Sequence, residues 1–337
     1  MQAQDALLRA SAASAPENQE DDGLDAAERR TGVKVIRAGG GAAPGALVID
    51  VAKALRAGTG AVADPRVTGQ SRYGPIPRIG QGGARPSRIY SRPVNSQDGE
   101  SGQPRVALVV GGMGLAPRTT EAAIASLPGA VTLAFAPYGG GISRLAARAR
   151  EAGHEILLQI PMEPFDFPGG LPGPHTLLAG ADDAVNVDHL DWHMSRFTGY
   201  TGIMSFLGGK LTADAKALKP VLNEVSARGL FYLDDGTSPQ SLAMALAPGL
   251  GLAAARADIV LDPAAEPGAL EASLARLEAI ARERGVAIGV ASALPASIAA
   301  AGRFARELPS RGILLIPLSA AIFAQQHGAV ADFSPAR

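Results

Sequence analysis

The chain has 337 residues, 47% of them hydrophobic, which suffices for one large core or two ordinary ones. Lysine plus arginine number 31 against 32 aspartate plus glutamate, with no dense basic run between aromatics, so an electrostatic nucleic-acid surface is disfavoured. Cysteine is absent, which excludes disulfides and thiolate metal sites, and aromatics are 4% with Trp192 the single tryptophan, which counts against a lectin built on aromatic platforms.

Taken in chain order, residues 1–104 differ from the rest. ASAPENQEDDGLDAAERR is polar and charged, and the stretch from AGGGAAPGA to SRPVNSQDGESGQP is thick with Gly, Pro, Ser and Arg. Such composition buries too little apolar surface to offset chain entropy, so the segment reads as a disordered or extended linker. Two pieces are expected to order locally: Val33 to Ile36, and Ile89 to Pro93 lying extended along the folded domain. The N-terminal MQAQDALLRASAAS lacks the basic and long apolar regions of a signal peptide, and no apolar run reaches the ~18 residues of a membrane span.

From Arg105 onward, apolar strand-like runs alternate with helical patterns. The predicted strands are Val106 to Val110, Val131 to Ala136, Glu155 to Ile160, Gly202 to Phe206, Leu230 to Leu233, Ile259 to Leu261, Val286 to Val290 and Ile313 to Ile316. The predicted helices are Thr119 to Ser126, Ile142 to Ala152, Ala184 to Phe197, Ala213 to Ala227, Ser238 to Ala245, Pro267 to Arg284 and Pro295 to Leu308. Thr212 is placed to cap the helix at Ala213, while Gly229 and Gly285 follow basic last turns. About eight such units between residues 105 and 322 imply a closed or nearly closed β/α barrel of parallel strands, followed by a polar tail, 323–337.

In such a barrel the functional groups sit on loops after the strands. Glu163 and Asp166 follow the third strand, Lys210 the fourth, and Asp234 and Asp235 the fifth, all on one predicted face. Carboxylates gathered there could bind a cation, pair with Lys210 or hydrogen-bond sugar hydroxyls. Glu163 and Asp234 are the catalytic candidates; Asp166, Asp235, Lys210 and His175 are the ligand-binding candidates, His175 from the GPHTLL loop that could overhang the mouth. Asp235, Thr237 or Ser238 can equally cap the next helix, with Pro239 in its first turn. His154 precedes its strand and reads as structural. His189 and His193, spaced i to i+4 without HExxH, read as a solvated helix face. Gly111, Gly112 and Gly114 do not complete GxGxxG, and neither GK[ST] nor GxSxG occurs, so nucleotide-binding and serine-hydrolase chemistry find no support.

GHEILLQIPMEP, together with SLPGAVTLAFAPYG, GPHTLL, SRFTGYTG, LFYLDDGTS and IGVASALP in that order, resembles the divergent polysaccharide deacetylase family, a distant branch of the metal-dependent carbohydrate deacetylases. The resemblance implies an irregular barrel, often counted as seven-stranded, a carbohydrate or cell-wall role, and export to the envelope or periplasm. It also implies a divalent metal, typically zinc, held by aspartate after the first strand and by two histidines, with a further histidine after the seventh strand as catalytic acid. At those places this sequence has Gly111 and Gly112, then Gln159 and Glu163, then Phe206 on the fourth strand, and Ala291-Ser292. No metal and no cofactor are therefore expected. The expected function is binding of a polysaccharide or peptidoglycan-type ligand, or of an envelope protein partner, without hydrolysis. The alternative is a hydrolase removing N-acetyl groups through a rebuilt carboxylate site with zinc. A third expectation is a structural role in an envelope assembly, with residues 1–104 as tether.

Overall fold

In the computed structural model of the protein, residues 63–94, 102–166, 173–262 and 268–327 are described, all within one compact unit that begins at Thr59. Val33 to Ile36 and the tail beyond residue 327 lie outside the described residues. An antiparallel hairpin, β1 (Thr68–Ser71) and β2 (Gly74–Pro77), and a helical turn, α1 (Pro86–Ile89), precede the main domain. The domain then runs β3 (Arg105–Met113), α2 (Pro117–Ser126), β4 (Thr132–Phe135), α3 (Ile142–Glu151), β5 (Ile156–Met162), α4 (Asp183–Met194) and β6 (Gly202–Leu207). It continues through α5 (Gly209–Ala213), α6 (Ala215–Ala227), β7 (Phe231–Asp234), α7 (Ala243–Leu246), β8 (Ala254–Arg256) and β9 (Ile259–Val260). Last come α8 (Ala269–Arg284), β10 (Val286–Ser292), α9 (Pro295–Glu307), β11 (Leu314–Leu315) and α10 (Leu318–His327).

The strands from β3 onward pair in parallel in the order β8-β7-β6-β5-β4-β3-β10-β9. The two ends of that order are one kinked run. The amide of Ala257 donates to the Asp234 carbonyl on one side, and those of Asp258 and Leu261 donate to Ile288 and Val290 on the other. The sheet therefore curves into the irregular β/α barrel that the sequence led us to expect, with β8 and β9 sharing one strand place. The predicted eighth strand is not a further stave. β11 pairs with Arg105 and Val106 of β3, whereas β4 joins β3 only from Val109 onward, so β11 occupies the edge that β4 leaves free.

Period-two alternation along β3 divides the core. Val106, Leu108 and Val110 face the helices, where α3 presents Ile142, Leu145, Ala146 and Ala149 at helical spacing. Ala107 and Val109 face inward with Leu157, Met204, Phe231, Leu233 and Ile288, and this inner core is completed by Ile316, Leu318, Ala321 and Ile322 around the start of α10. Among the described residues no helix is long and apolar enough to cross a membrane.

Three sequence expectations need correction. Residues 63–94 are folded rather than extended linker: Val67, Ile76 and Tyr90 are buried, Ile89 closes α1, the Ser87 amide donates to the Gly229 carbonyl, and the Arg92 amide donates to Glu155 at 2.7 Å. Isolated apolar residues in a Gly/Pro-rich stretch carry no period, so their burial leaves no pattern to read. The C-terminal boundary also shifts, because Phe323 and Ala324 are buried and the Phe323 ring meets Phe231 at 5.2 Å. Finally, the helix expected over Ala213 to Ala227 is broken at Asp214, whose carboxylate accepts from the Lys216 and Ala217 amides and caps α6, while the Thr212 hydroxyl turns back to the Gly208 carbonyl.

Glu155 joins the ends of the domain at the start of β5. Its carboxylate accepts from the Arg92 amide, from the Ser319 amide at 3.0 Å and from the Ser319 hydroxyl, and burial raises its pKa. One buried side chain thus ties the N-terminal segment and α10 to the barrel.

Candidate functional site

The C-terminal ends of the barrel strands enclose a cleft of about 370 Å³. Gly111, Gln159, Met204 and Val290 form its inner end, from β3, β5, β6 and β10. These residues are fitted to one another. A Cβ placed on Gly111 would lie 2.9 Å from the Met204 methyl and 3.0 Å from Gln159 Nε2, so the ends of those two flexible side chains would have to shift. The Gln159 Oε1 accepts the amide of Gly112 at 2.8 Å, and Gly112 has φ +80°, which favours glycine. Leu115, Phe206 and Leu294, all exposed, stand at the mouth.

Two carboxylates line the cleft. Asp235, 5% exposed, accepts from the Thr237 amide and hydroxyl at 3.0 and 2.7 Å and from the Leu207 amide at 3.1 Å. Burial pushes its carboxyl up to about 6 against the opposing pull of the Thr237 donors. The Leu207 amide that it holds belongs to a residue with φ +59°, a strained conformation for leucine, so Asp235 fixes the turn that presents Phe206 to the mouth. Asp262, just past β9, accepts from the Ser292 amide at 2.9 Å and from the Ser297 hydroxyl at 2.6 Å, joining the end of β10 to the first turn of α9. Sequence reasoning passed over Asp262, although a carboxylate directly after a predicted strand was the available signal. It also passed over Tyr138, which lines the same cleft after β4.

The other candidate residues lie elsewhere. Glu163, 3% exposed, accepts from Lys210 Nζ at 2.7 Å and from the Ala179 amide at 2.7 Å, while its carbonyl takes the amides of Lys210 and Leu211. Glu163 and Lys210 therefore clamp the 173–181 loop and α5 to the end of β5, and neither lines the cleft. Asp234 accepts from the Gly236 amide at 2.9 Å and from the Ser241 hydroxyl, with Arg256 Nε at 3.9 Å. Between them Asp234 and Asp235 hold residues 235–241 as a turn, so the helix expected from Ser238 is limited to Ala243–Leu246 and Asp235 caps no helix. Asp166 is exposed and outside the cleft.

His175 has φ +59° and stacks on Trp192 with ring centroids 4.2 Å apart, beside His189 at 5.1 Å. His193 is fully buried, with Nε2 2.9 Å from the His175 carbonyl. The expected solvated face at His189 and His193 is therefore wrong for His193. The 173–179 loop folds over that side of α4, and a covering loop is invisible to helical spacing. His154 is structural, its Nδ1 2.8 Å from the Val131 carbonyl.

Replacing Glu163 with alanine removes the acceptor of the part-buried Ala179 amide and should cost about 1–2 kcal/mol in urea unfolding. Lys210→Ala should cost about 1 kcal/mol or less, because the lysine side chain is half exposed and its attraction is screened. A larger loss for Lys210→Ala would contradict the clamp.

No group of three or more His, Asp or Glu among the described residues is placed to hold a divalent ion. The positions that would supply aspartate and histidine present glycine, the amide of Gln159 already bonded to Gly112, and Phe206, none of which makes up a hard or borderline-metal donor set.

The model of the divergent polysaccharide deacetylases matches residues 108–322. A crystallised uncharacterized protein from Agrobacterium tumefaciens is 45% identical, covers 73% of this chain and 98% of its own, and superposes with a TM-score of 0.70. The uncharacterized protein YibQ of Escherichia coli is 23% identical over 141 residues, which are 42% of this chain and 43% of YibQ, so the match spans less than half of that curated relative. With the strand-end motifs in order on a β/α barrel and the family model covering nearly all of it, this chain belongs to the divergent polysaccharide deacetylase family.

Proposed function

We propose that this chain is a family member that binds, rather than deacetylates, using the strand-end cleft to take a glycan or a partner. The observation that carries this reading is the chemistry of the cleft lining at Gly111, which stands against the Met204 methyl and the Gln159 amide. The position that carries a metal-binding aspartate in the wider deacetylases offers no side-chain donor. Polarisation of an acetyl carbonyl and activation of water by a metal need at least one open coordination position within a donor set. A binding role needs only the cleft.

The competing reading, hydrolysis through a rebuilt carboxylate site, is favoured by one feature: Asp235 lines the cleft with a pKa near 6, suited to a general base. Against it, both Asp235 oxygens already accept from Leu207 and Thr237. Acetate release from N-acetylated chito-oligosaccharides and from peptidoglycan, measured with and without added zinc, decides between them. We expect no release above a heat-treated control. Release that disappears in Asp235→Asn would replace the binding reading with the hydrolytic one.

A further inference from the structure

We infer that the occupant of the cleft is a segment of a polypeptide partner, which inserts an apolar side chain next to a basic one. This rests on the binding reading above and narrows it.

The side-chain oxygens of the cleft are few and already engaged. Gln159 Oε1 takes the Gly112 amide, the Tyr138 hydroxyl donates to the Pro174 carbonyl, and both aspartates hold backbone amides and hydroxyls. A glycan brings several hydroxyls per ring, and each left unpaired on burial costs free energy. Trp192 offers no sugar platform, because His175 stacks on it at 4.2 Å and the Arg196 guanidinium lies 4.8 Å from its ring centre. Apart from Gly111, Gly112, Thr237 and Ser292, the remaining lining comes from Ala, Pro, Leu, Met, Val and Phe, which suits an apolar anchor.

Exposure concentrates at the same place. Six large hydrophobic side chains are exposed among the described residues, and three of them, Leu115 at 60%, Phe206 at 39% and Leu294 at 56%, line this cleft. Apolar residues ringing a pocket, with the pocket sized for one or two side chains, match the anchor-and-rim anatomy of protein interfaces. Charge selects the occupant further. Asp235 and Asp262 are the charged side chains of the lining, and no lysine or arginine joins them, so a cationic neighbour to the anchor is attracted and an anionic lipid headgroup is repelled.

The test is selection of a phage-displayed library of random linear peptides on the full chain, followed by fluorescence polarisation with the enriched peptides. We expect enrichment of an aromatic or branched apolar residue adjacent to Lys or Arg. Leu294→Ala and Leu115→Ala should each weaken binding about tenfold. Arg303→Ala, in a separate groove between α2 and α9, should leave it unchanged. The inference is overturned if no peptide enriches, if binding is indifferent to both leucine variants, or if chitotetraose or lysophosphatidylglycerol displaces the peptides from the cleft. Zinc-dependent acetate release from the same preparation would overturn the binding reading itself, a separate outcome.

Discussion

Gly111→Asp, which returns a carboxylate to the strand position where the wider deacetylases bind metal, is expected to destabilise this protein by about 1–3 kcal/mol and to leave it without zinc. The first cause is steric: the new Cβ lies 2.9 Å from the Met204 methyl and 3.0 Å from Gln159 Nε2, so both side-chain ends must move, Met204 within the inner core between strands. The second is electrostatic, because the charge enters a cleft end with no cation and no metal-donor partners. Gly112→Ala separates the two causes. Its Cβ has room, 3.6 Å from that of Ala293, so it should lose only the ~1–2 kcal/mol of a left-handed backbone. Urea midpoints and zinc content of the purified variants check both. A Gly111→Asp protein that is stable and carries stoichiometric zinc would show that the cleft can still be rebuilt around a metal.

The barrel was legible because buried parallel strands write themselves as short apolar runs, as VALVV and ILLQI do. What was not legible depends on partners distant in sequence. Only Ile259 to Leu261 reads as a strand and β8 leaves no signal, because the kink between β8 and β9 is set by Asp234 on one side and Ile288 on the other. The site was legible as a set of positions: Gly111, Gly112, Gln159, Phe206, Ala291 and Ser292 do line one cleft. The direction of Glu163 was not legible. It has the same parity as Gln159, but β5 ends at Met162 and the chain there pairs with Leu177, so strand alternation no longer governs where the side chain points. The two carboxylates of the lining, Asp235 and Asp262, each sit directly after a strand or within one residue of it, and Asp262 needed only the same inspection that found Asp234 and Asp235.

His193 should make folding sensitive to acid, by on the order of 5 kcal/mol, in a way the wild-type profile partly hides. Burial, the largest cause, lowers its pKa to about 3 from 6.5. The unfolded chain therefore binds a proton between pH 6.5 and about 3 that the folded protein refuses, and this contribution is complete above 6.5 and falls away as pH drops through the window. Asp235 works in the opposite sense. Its folded pKa of about 6 lies above the ordinary aspartate value of 3.8, so the folded protein holds a proton that the unfolded chain releases, and about 3 kcal/mol of relative stability present below 3.8 is lost as pH rises through 6. Between about pH 4 and 6 the two slopes cancel. Asp235→Asn should remove the compensation, so that its stability relative to wild type falls as pH is lowered from 6 to 4. His193→Gln should do the reverse, gaining on wild type as pH falls below 6.5. Other groups, such as Glu155, whose pKa burial raises, contribute equally to variant and wild type and drop out of the difference. Urea midpoints taken from pH 3 to 8 supply these difference profiles, and parallel curves for the wild type and both variants would mean that neither buried group titrates as its surroundings dictate.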